Sequence, residues 1–129
     1  AVFVGAFPLP LEDPGVTLAF AVANAGVSPE TVESAMDAEY EKVKNELIPE
    51  REFDKLMNQT ENNFIVGNAT MAGIAESLAN YHLYFGDANL INTELARYRK
   101  VTREDLQRVA RKYLVPENRV VLHYLPVAP

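Results

Sequence analysis

The pattern of hydrophobic and polar residues changes along the chain, from apolar runs near both ends to helical spacing between them. Two runs rich in β-forming residues, Ala1–Phe7 and Val16–Ala23, predict strands. Pro and Gly within Glu12–Gly15 predict the turn of an antiparallel hairpin. The second run is apolar at nearly every position, which is typical of a strand covered on both faces. A further apolar run, Arg119–Leu125, predicts a last strand.

Between the hairpin and the last strand, apolar residues recur at the spacing of four or five helices. The first helix is predicted to begin with Ser28 as N-cap and Pro29 at the first helical position, and to end before Pro49. Thr102 and Asp105 predict a capping box at the start of the final helix, with Asp in the place of the usual Glu or Gln. The other predicted helices are Glu50–Val66, Thr70–Phe85 and Asn89–Tyr98, and the final helix ends before Pro116.

The segment Thr70–Phe85 is the most apolar of these helices and carries one formal charge, Glu76, in sixteen residues. A surface helix would show a broad polar face, and this segment hardly has one. It is therefore predicted to be a core helix buried on most sides. Small residues within it, Gly73 among them, would let other elements approach closely, and Gly86 is expected to end it.

The order strand, strand, helices, strand predicts an α+β fold in which a block of helices packs on one face of an antiparallel sheet. Three strands give little surface for so many helices. Either the sheet has further strands before Ala1, or this is a small fold that stands alone. The chain begins directly in an apolar strand pattern and has no initiator Met, which favours residues 1–129 being a single-domain fragment of a larger domain.

Composition narrows the classes of function. The chain is 48% hydrophobic, which is enough for a core, and it has no cysteine for disulfide or thiol chemistry. Its net charge of −6 argues against nucleic acid or an anionic membrane surface as a partner. No uninterrupted apolar run approaches the roughly 20 residues that a membrane-spanning helix needs.

The sequence shows no catalytic, cofactor-binding or metal-binding residues. His82 has no carboxylate at metal-ligand spacing, and both it and His123 are interpreted as structural residues bonded to backbone carbonyls. Glu33, Asp37 and Glu41 recur every fourth residue on a polar helix face, which favours a solvated face over a cation site or an acid–base pair. Neither H-x-x-E-H nor a glycine-rich phosphate loop occurs.

Several stretches together, in order and spacing, resemble the M16 zinc metallopeptidases, the insulinase, pitrilysin and mitochondrial-processing-peptidase-like family. The segment Val101–Leu114 followed by Asn118–Leu122 is similar to the end of that family's C-terminal domain. The segment Met71–Asp87 looks most like bacterial members. The remaining stretches that carry the resemblance are Asp13–Phe20, Gly26–Pro29 and Glu50–Leu56.

The resemblance implies an α+β domain of the LuxS/MPP-like metallohydrolase type, and specifically the later part of a non-catalytic C-terminal domain. In such proteins another domain carries H-x-x-E-H and the zinc, while the non-catalytic domain closes over the peptide substrate. No position in this chain matches the zinc ligands or the glutamate base. The expected partners are therefore a catalytic M16 domain or subunit and, in the assembled protein, a peptide. Zinc is expected in the catalytic domain and no cofactor in this chain.

Two other interpretations remain open. The same fold is reused in proteins that have lost peptidase activity and serve as scaffolds or assembly subunits. The chain could also be an independent binding module without a protease partner. An H-x-x-E-H motif upstream or in an adjacent gene would select the protease. The resemblance to bacterial members favours the periplasm or cell envelope over the cytoplasm, while substrate and oligomeric state are not determined.

Overall fold

The chain is α+β, as predicted, and its described residues form an antiparallel hairpin followed by five α-helices. The computed structural model describes residues 1–9 and 15–125, so residues 12–14 of the predicted turn lie outside the described residues. The strands are β1 (Phe3–Leu9) and β2 (Val16–Val22); the helices are α1 (Pro29–Asn45), α2 (Glu50–Gly67), α3 (Met71–Phe85), α4 (Glu94–Tyr98) and α5 (Arg103–Tyr113), with 3₁₀ turns at Ala88–Asn92 and Pro116–Asn118.

The chain divides into two compact units. The first consists of residues 1–46 and 109–129 and contains the hairpin, α1 and the segment that follows α5. The second consists of residues 47–108 and contains α2, α3 and α4. Among the described residues only Ala110 is buried, at 6% exposure, so neither unit encloses a large apolar core.

The hairpin register places the large side chains on one face. Phe3 lies opposite Val22, Gly5 opposite Phe20 and Phe7 opposite Leu18. Because side chains alternate across a strand, these residues share a face. Gly5 makes room for the aromatic ring across from it, since a Cβ there would lie 2.9 Å from a ring carbon of Phe20. The glycine thus lets Phe20 lie over the strand between Phe3 and Phe7, with ring centroids 5.5 and 6.1 Å away.

The predicted helix starts are confirmed. The Ser28 hydroxyl accepts a hydrogen bond from the backbone N–H of Thr31 at 3.3 Å, which satisfies one of the free donors at the start of α1. At α5 the backbone N–H of Asp105 donates to the Thr102 hydroxyl and the backbone N–H of Thr102 donates to the Asp105 carboxylate, both at 3.2 Å. This reciprocal pair is a capping box in which aspartate takes the usual place of glutamate.

The first turn of α3 lies directly against the end of α2. The Thr70 hydroxyl caps α3 by accepting from the N–H of Gly73 at 3.0 Å. A Cβ on Gly73 would overlap the carbonyl oxygen of Gly67, the last residue of α2. The prediction that small residues of this segment permit a close approach is confirmed at Gly73. Gly86 ends the helix with a φ of 73°, as expected of a left-handed C-cap.

The prediction that this helix is buried on most sides is wrong for the chain as described. No residue of α3 is buried, and Met71, Leu83 and Phe85 are exposed. Its main partner is the 3₁₀ turn Ala88–Asn92, which together with α4 replaces the single short helix predicted over 89–98. Low charge indicates that a segment is suited to burial, but burial itself requires neighbours on every side.

Leu78 tests how much of α3 is covered in solution. Its side chain is 37% exposed, so Leu78→Ala is expected to lower the free energy of unfolding by about 1–2 kcal/mol, below the roughly 2–5 kcal/mol of a fully buried leucine. Leu83→Ala, at a position 73% exposed, is the matched control and should change it by less than about 0.5 kcal/mol. Urea unfolding measures both. A loss near 4 kcal/mol for Leu78→Ala would contradict the exposed position.

The last predicted strand is not part of the sheet. Within the described residues the sheet contains β1 and β2 only, and residues 119–125 have no regular secondary structure. The backbone N–H of Arg119 bonds the carbonyl of Pro116 at 3.3 Å, and no backbone hydrogen bond is made by residues 120–125 within the described part of the chain. An apolar, β-branched run favours a strand, but a ladder needs a neighbouring strand edge.

A search of the described helices for membrane spans found none with the length and apolar character to cross a bilayer.

Candidate functional site

One face of the hairpin in the first unit is an open apolar surface, here called the aromatic face. Its side chains are between 40% and 56% exposed, and neither strand contains a charged residue. Open apolar surface of this kind marks a contact region, because soluble proteins seldom leave large contiguous apolar patches in water. The members of the aromatic face are Phe3, Phe7, Leu9, Val16, Leu18, Phe20 and Val22.

The opposite face of the hairpin carries small side chains and borders α1. Val4 on this face and Val32, Ala35 and Met36 on α1 line a shallow apolar groove of about 340 Å³, with Glu39 at its margin. The groove is open to solvent and mostly lined by aliphatic carbon. Such a lining suits an apolar side chain of a neighbouring segment, and Glu39 is its one ionisable side chain among the described residues.

A polar cluster joins α1 to residues 119–123. The Arg119 guanidinium donates two hydrogen bonds to the carboxylate of Asp37, one of them at 3.0 Å from Nη2 to Oδ2, and also reaches Glu33 at 3.3 Å. Two parallel bonds from one guanidinium to one carboxylate form the strongest geometry for this pair. All three side chains are between 30% and 39% exposed, so water screens the interaction only in part.

His123 lies at the other end of the cluster, between two carboxylates. Its Nε2 is 2.9 Å from Oε2 of Glu33, and its Nδ1 is 3.7 Å from Oε1 of Glu30. The prediction that this histidine bonds a backbone carbonyl is therefore wrong, because its partners are carboxylates of α1. One third of its side chain is exposed.

These contacts shift the pKa values of individual groups in the cluster. The hydrogen bonds from Arg119 hold the pKa of Asp37 below its usual range, and the same bonds raise the pKa of Arg119. The pKa of Glu30 is lowered first by its own backbone N–H, then by the Ser28 hydroxyl, and least by His123. Because the pKa of Asp37 is lowered, its ion pair with Arg119 contributes its full stabilisation at pH values above the ordinary pKa of aspartate. That stabilisation is lost as the pH falls through the lowered pKa of Asp37.

Sequence reasoning placed Glu33, Asp37 and Glu41 on a solvated helix face. Glu41 fits that description, since it is 58% exposed and pairs locally with Lys44. Glu33 and Asp37 instead bind residues more than 80 positions away. The available signal was the spacing of Arg119 and His123, which places two basic side chains on one side of an extended chain, opposite an acidic helix face.

Unlike His123, His82 is not part of a polar cluster among the described residues. It lies exposed near the end of α3, and its ring makes no hydrogen bond to any other described residue, so the predicted bond to a backbone carbonyl is not formed. Within residues 1–9 and 15–125, no group of three or more His, Asp or Glu side chains is arranged to hold a metal ion. The carboxylates of Glu30 and Glu33 face different ring nitrogens of His123. They therefore do not converge with one ring nitrogen on a single metal position.

Two tyrosines of the second unit also have shifted pKa values. Burial raises the pKa of Tyr81 and that of Tyr98, and the carboxylate of Glu94 adds to both effects. Glu94 also pairs with Arg97 at 3.0 Å. A tyrosine with a raised pKa is a weaker acid and keeps its proton at neutral pH, so these hydroxyls are suited to donating hydrogen bonds and not to acting as phenolate bases.

Comparison of the chain with protein-family models, with curated protein sequences and with solved structures gives no match.

Proposed function

We propose that this chain is a non-catalytic part of a bacterial M16-type zinc metallopeptidase. In this proposal it helps to form the chamber that holds the peptide, and a separate H-x-x-E-H domain performs hydrolysis. The observation that carries the proposal is the aromatic face, which lies open on a hairpin without charged residues. The M16-like stretches between Asp13 and Leu122 supply the class of protein to which such a face would belong.

The aromatic face supports a role inside a larger assembly. A free-standing module would expose its three phenylalanines to water, at a cost of roughly 25 cal/mol for each Å² of apolar surface left uncovered. In the proposed parent, a larger LuxS/MPP-like sheet backed by helices contains this hairpin, and neighbouring elements cover the face. The apolar row Val120, Leu122 and Tyr124 is likewise open and would be covered there.

The contribution to catalysis would be one of binding. A chamber wall that orients a peptide lowers the entropic part of the barrier without taking part in proton transfer. Zinc in the partner domain would activate a water molecule, and its glutamate would move the proton. No residue of this chain is assigned to those steps, because none matches the zinc motif.

The test is co-production of this chain with the H-x-x-E-H domain encoded upstream or in an adjacent gene. We expect a stable complex that cleaves peptides and loses this activity with a chelator. Phe7→Asp, which puts a charge on the aromatic face, should lower complex formation and cleavage at least tenfold. Lys55→Asp, on an exposed side chain of α2, is the control and should leave both near wild type.

Two outcomes would redirect the assignment. A complex that is sensitive to Phe7→Asp but has no chelator-sensitive cleavage would indicate the scaffold or assembly subunit. Failure of the two proteins to associate at micromolar concentrations would contradict the protease proposal and leave an independent binding module as the alternative.

A further inference from the structure

We propose that residues 119–125, here called the arm, are an open strand edge that binds an extended basic segment of another polypeptide as an added β-strand. The proposal concerns recognition by backbone pairing and does not depend on the assignment to a protease. Every group of this chain that takes part lies within the first unit.

The arm is an extended chain. Arg119 has a φ of −125° and a ψ of 153°, which lie in the β region. Exposure then alternates along the arm, since Val120 and Leu122 are 86% and 87% exposed and Val121 between them is 44% exposed. Successive side chains of a strand point to opposite sides, which produces this period of two. One side of the arm therefore faces α1, and the other presents an apolar row to solvent.

Two contacts with α1 hold the arm in this form. The Arg119 guanidinium binds the carboxylate of Asp37, and Nε2 of His123 lies 2.9 Å from Oε2 of Glu33. Four residues of extended chain, about 13 Å, separate the two attached positions. Because side chains alone make this attachment, the backbone between them is held in place and stays free to pair. An added strand would then not have to order the arm, which lowers the entropic cost of binding.

The backbone of the arm is the part that a partner would recognise. The N–H of Arg119 bonds the carbonyl of Pro116, and among the described residues no other backbone group of the arm makes a backbone hydrogen bond. Unpaired N–H and C=O groups at strand spacing are complementary to another extended chain, which is the basis of β-strand addition. The arm therefore fits a strand better than it fits a helix or a small molecule.

The exposed side of the arm favours a partner with alternating apolar residues. Its apolar row consists of Val120, Leu122 and Tyr124, and Tyr124 is fully exposed. Side chains of neighbouring strands pair on the same face, and pairs of β-branched and aromatic residues stabilise a sheet. A valine at every second position of the added strand would cover this row and remove it from water.

The charge around the arm favours a basic partner. The adjacent face of α1 carries Glu30, Glu33 and Asp37, and the arm offers Arg119 and His123 in return. Negative charge therefore remains in excess whether or not the histidine is protonated. The first unit as a whole has nine acidic and five basic side chains. A lysine or arginine next to the apolar positions of the added strand would be attracted by this charge.

The experiment measures binding of a fluorescent nine-residue peptide of alternating valine and threonine, with a lysine at each end, to the full chain by anisotropy at low salt. We expect saturable one-to-one binding. The same peptide with its backbone nitrogens methylated keeps its side chains and charges but has no N–H donors. It should bind about tenfold more weakly or worse, because several hydrogen bonds are lost. Equal binding of the two peptides, or no binding of either, would overturn the proposal.

Amide hydrogen exchange locates the added strand. Every second N–H of the arm would pair with the peptide, while the others point to the opposite edge. At a peptide concentration about ten times the Kd, roughly 90% of the chain is bound, so the paired amides should exchange about tenfold more slowly. Either the even-numbered or the odd-numbered amides from 120 to 125 should be the slow set. Slowing confined to β1 and β2 would place the peptide on the hairpin and overturn the proposal.

Two proline variants form a matched pair. Val121→Pro and Leu122→Pro remove N–H groups on opposite edges of the arm, at positions without a backbone hydrogen bond among the described residues. The variant within the slow set should weaken binding about tenfold, and the other should stay within about threefold of wild type. Equal effects of the two variants would contradict pairing along one edge.

Charge and self-association test the identity of the partner. Glu30→Gln, at a side chain that is 70% exposed, should weaken binding about two- to fivefold at low salt. Glu50→Gln, at an exposed residue of the second unit, is the matched control and should leave binding unchanged. Equal effects of these variants would contradict a basic partner. Without peptide, sedimentation should show a monomer, and a dimer with protected arm amides would mean that a second copy occupies the edge, which would overturn the proposed partner.

Discussion

Replacing Gly73 by alanine is expected to destabilise the second unit by about 2–3 kcal/mol, a large share of the free energy of unfolding of a small domain. The added methyl group would overlap the carbonyl oxygen of Gly67 and lie 3.1 Å from its carbonyl carbon. Both atoms belong to backbone at the end of α2, so no side chain can rotate to make room. The start of α3 would have to move, which would also disturb the Thr70 cap at 3.0 Å.

Gly67→Ala is the matched control for this prediction. A Cβ at Gly67 meets no atom within 4 Å, and the residue is helical, so alanine there should be neutral or stabilise by up to about 1 kcal/mol. Thermal or urea unfolding of both variants, followed by circular dichroism, measures the difference. Equal stabilities of the two variants would show that α2 and α3 do not meet closely in solution.

Purified alone and supplied with zinc, this chain is expected to hydrolyse no peptide and to bind zinc only at background level. Hydrolysis by the M16 type needs three protein ligands on one zinc ion and a carboxylate that moves the proton. This sequence has two histidines, His82 without neighbouring ligands and His123 with one carboxylate at each ring nitrogen. No part of that arrangement reproduces H-x-x-E-H.

The measurement is peptide cleavage by the isolated chain with and without chelator, together with its zinc content. His82→Ala and His123→Ala should give the same background values as wild type. Chelator-sensitive turnover by the isolated chain would contradict the non-catalytic role, and stoichiometric zinc that one of these variants loses would reveal a site that local spacing does not predict.

The elements that sequence reasoning located well are those determined by neighbouring residues. Ser28 and the Thr102–Asp105 pair act within three residues of their partners, so their roles can be read from spacing alone. Gly86 ends α3 because its backbone reaches positive φ without strain. The hairpin and the α+β order also follow from local patterns, because alternation and turn chemistry act over a few residues.

Burial and long-range pairing were decided only by the tertiary structure. The low charge of α3 suits it to a core, yet its exposed Met71 and Leu83 show that none of the described residues covers those positions. The run 119–125 has strand propensity but no ladder, because the contacts of Arg119 and His123 with α1 hold it instead. Those contacts join residues more than 80 positions apart, and local spacing can place two basic side chains on one side of the arm but cannot identify the helix that they meet. Local physics thus determined where the elements begin and end in this protein, while the tertiary structure alone decided which charges meet and which apolar faces stay open.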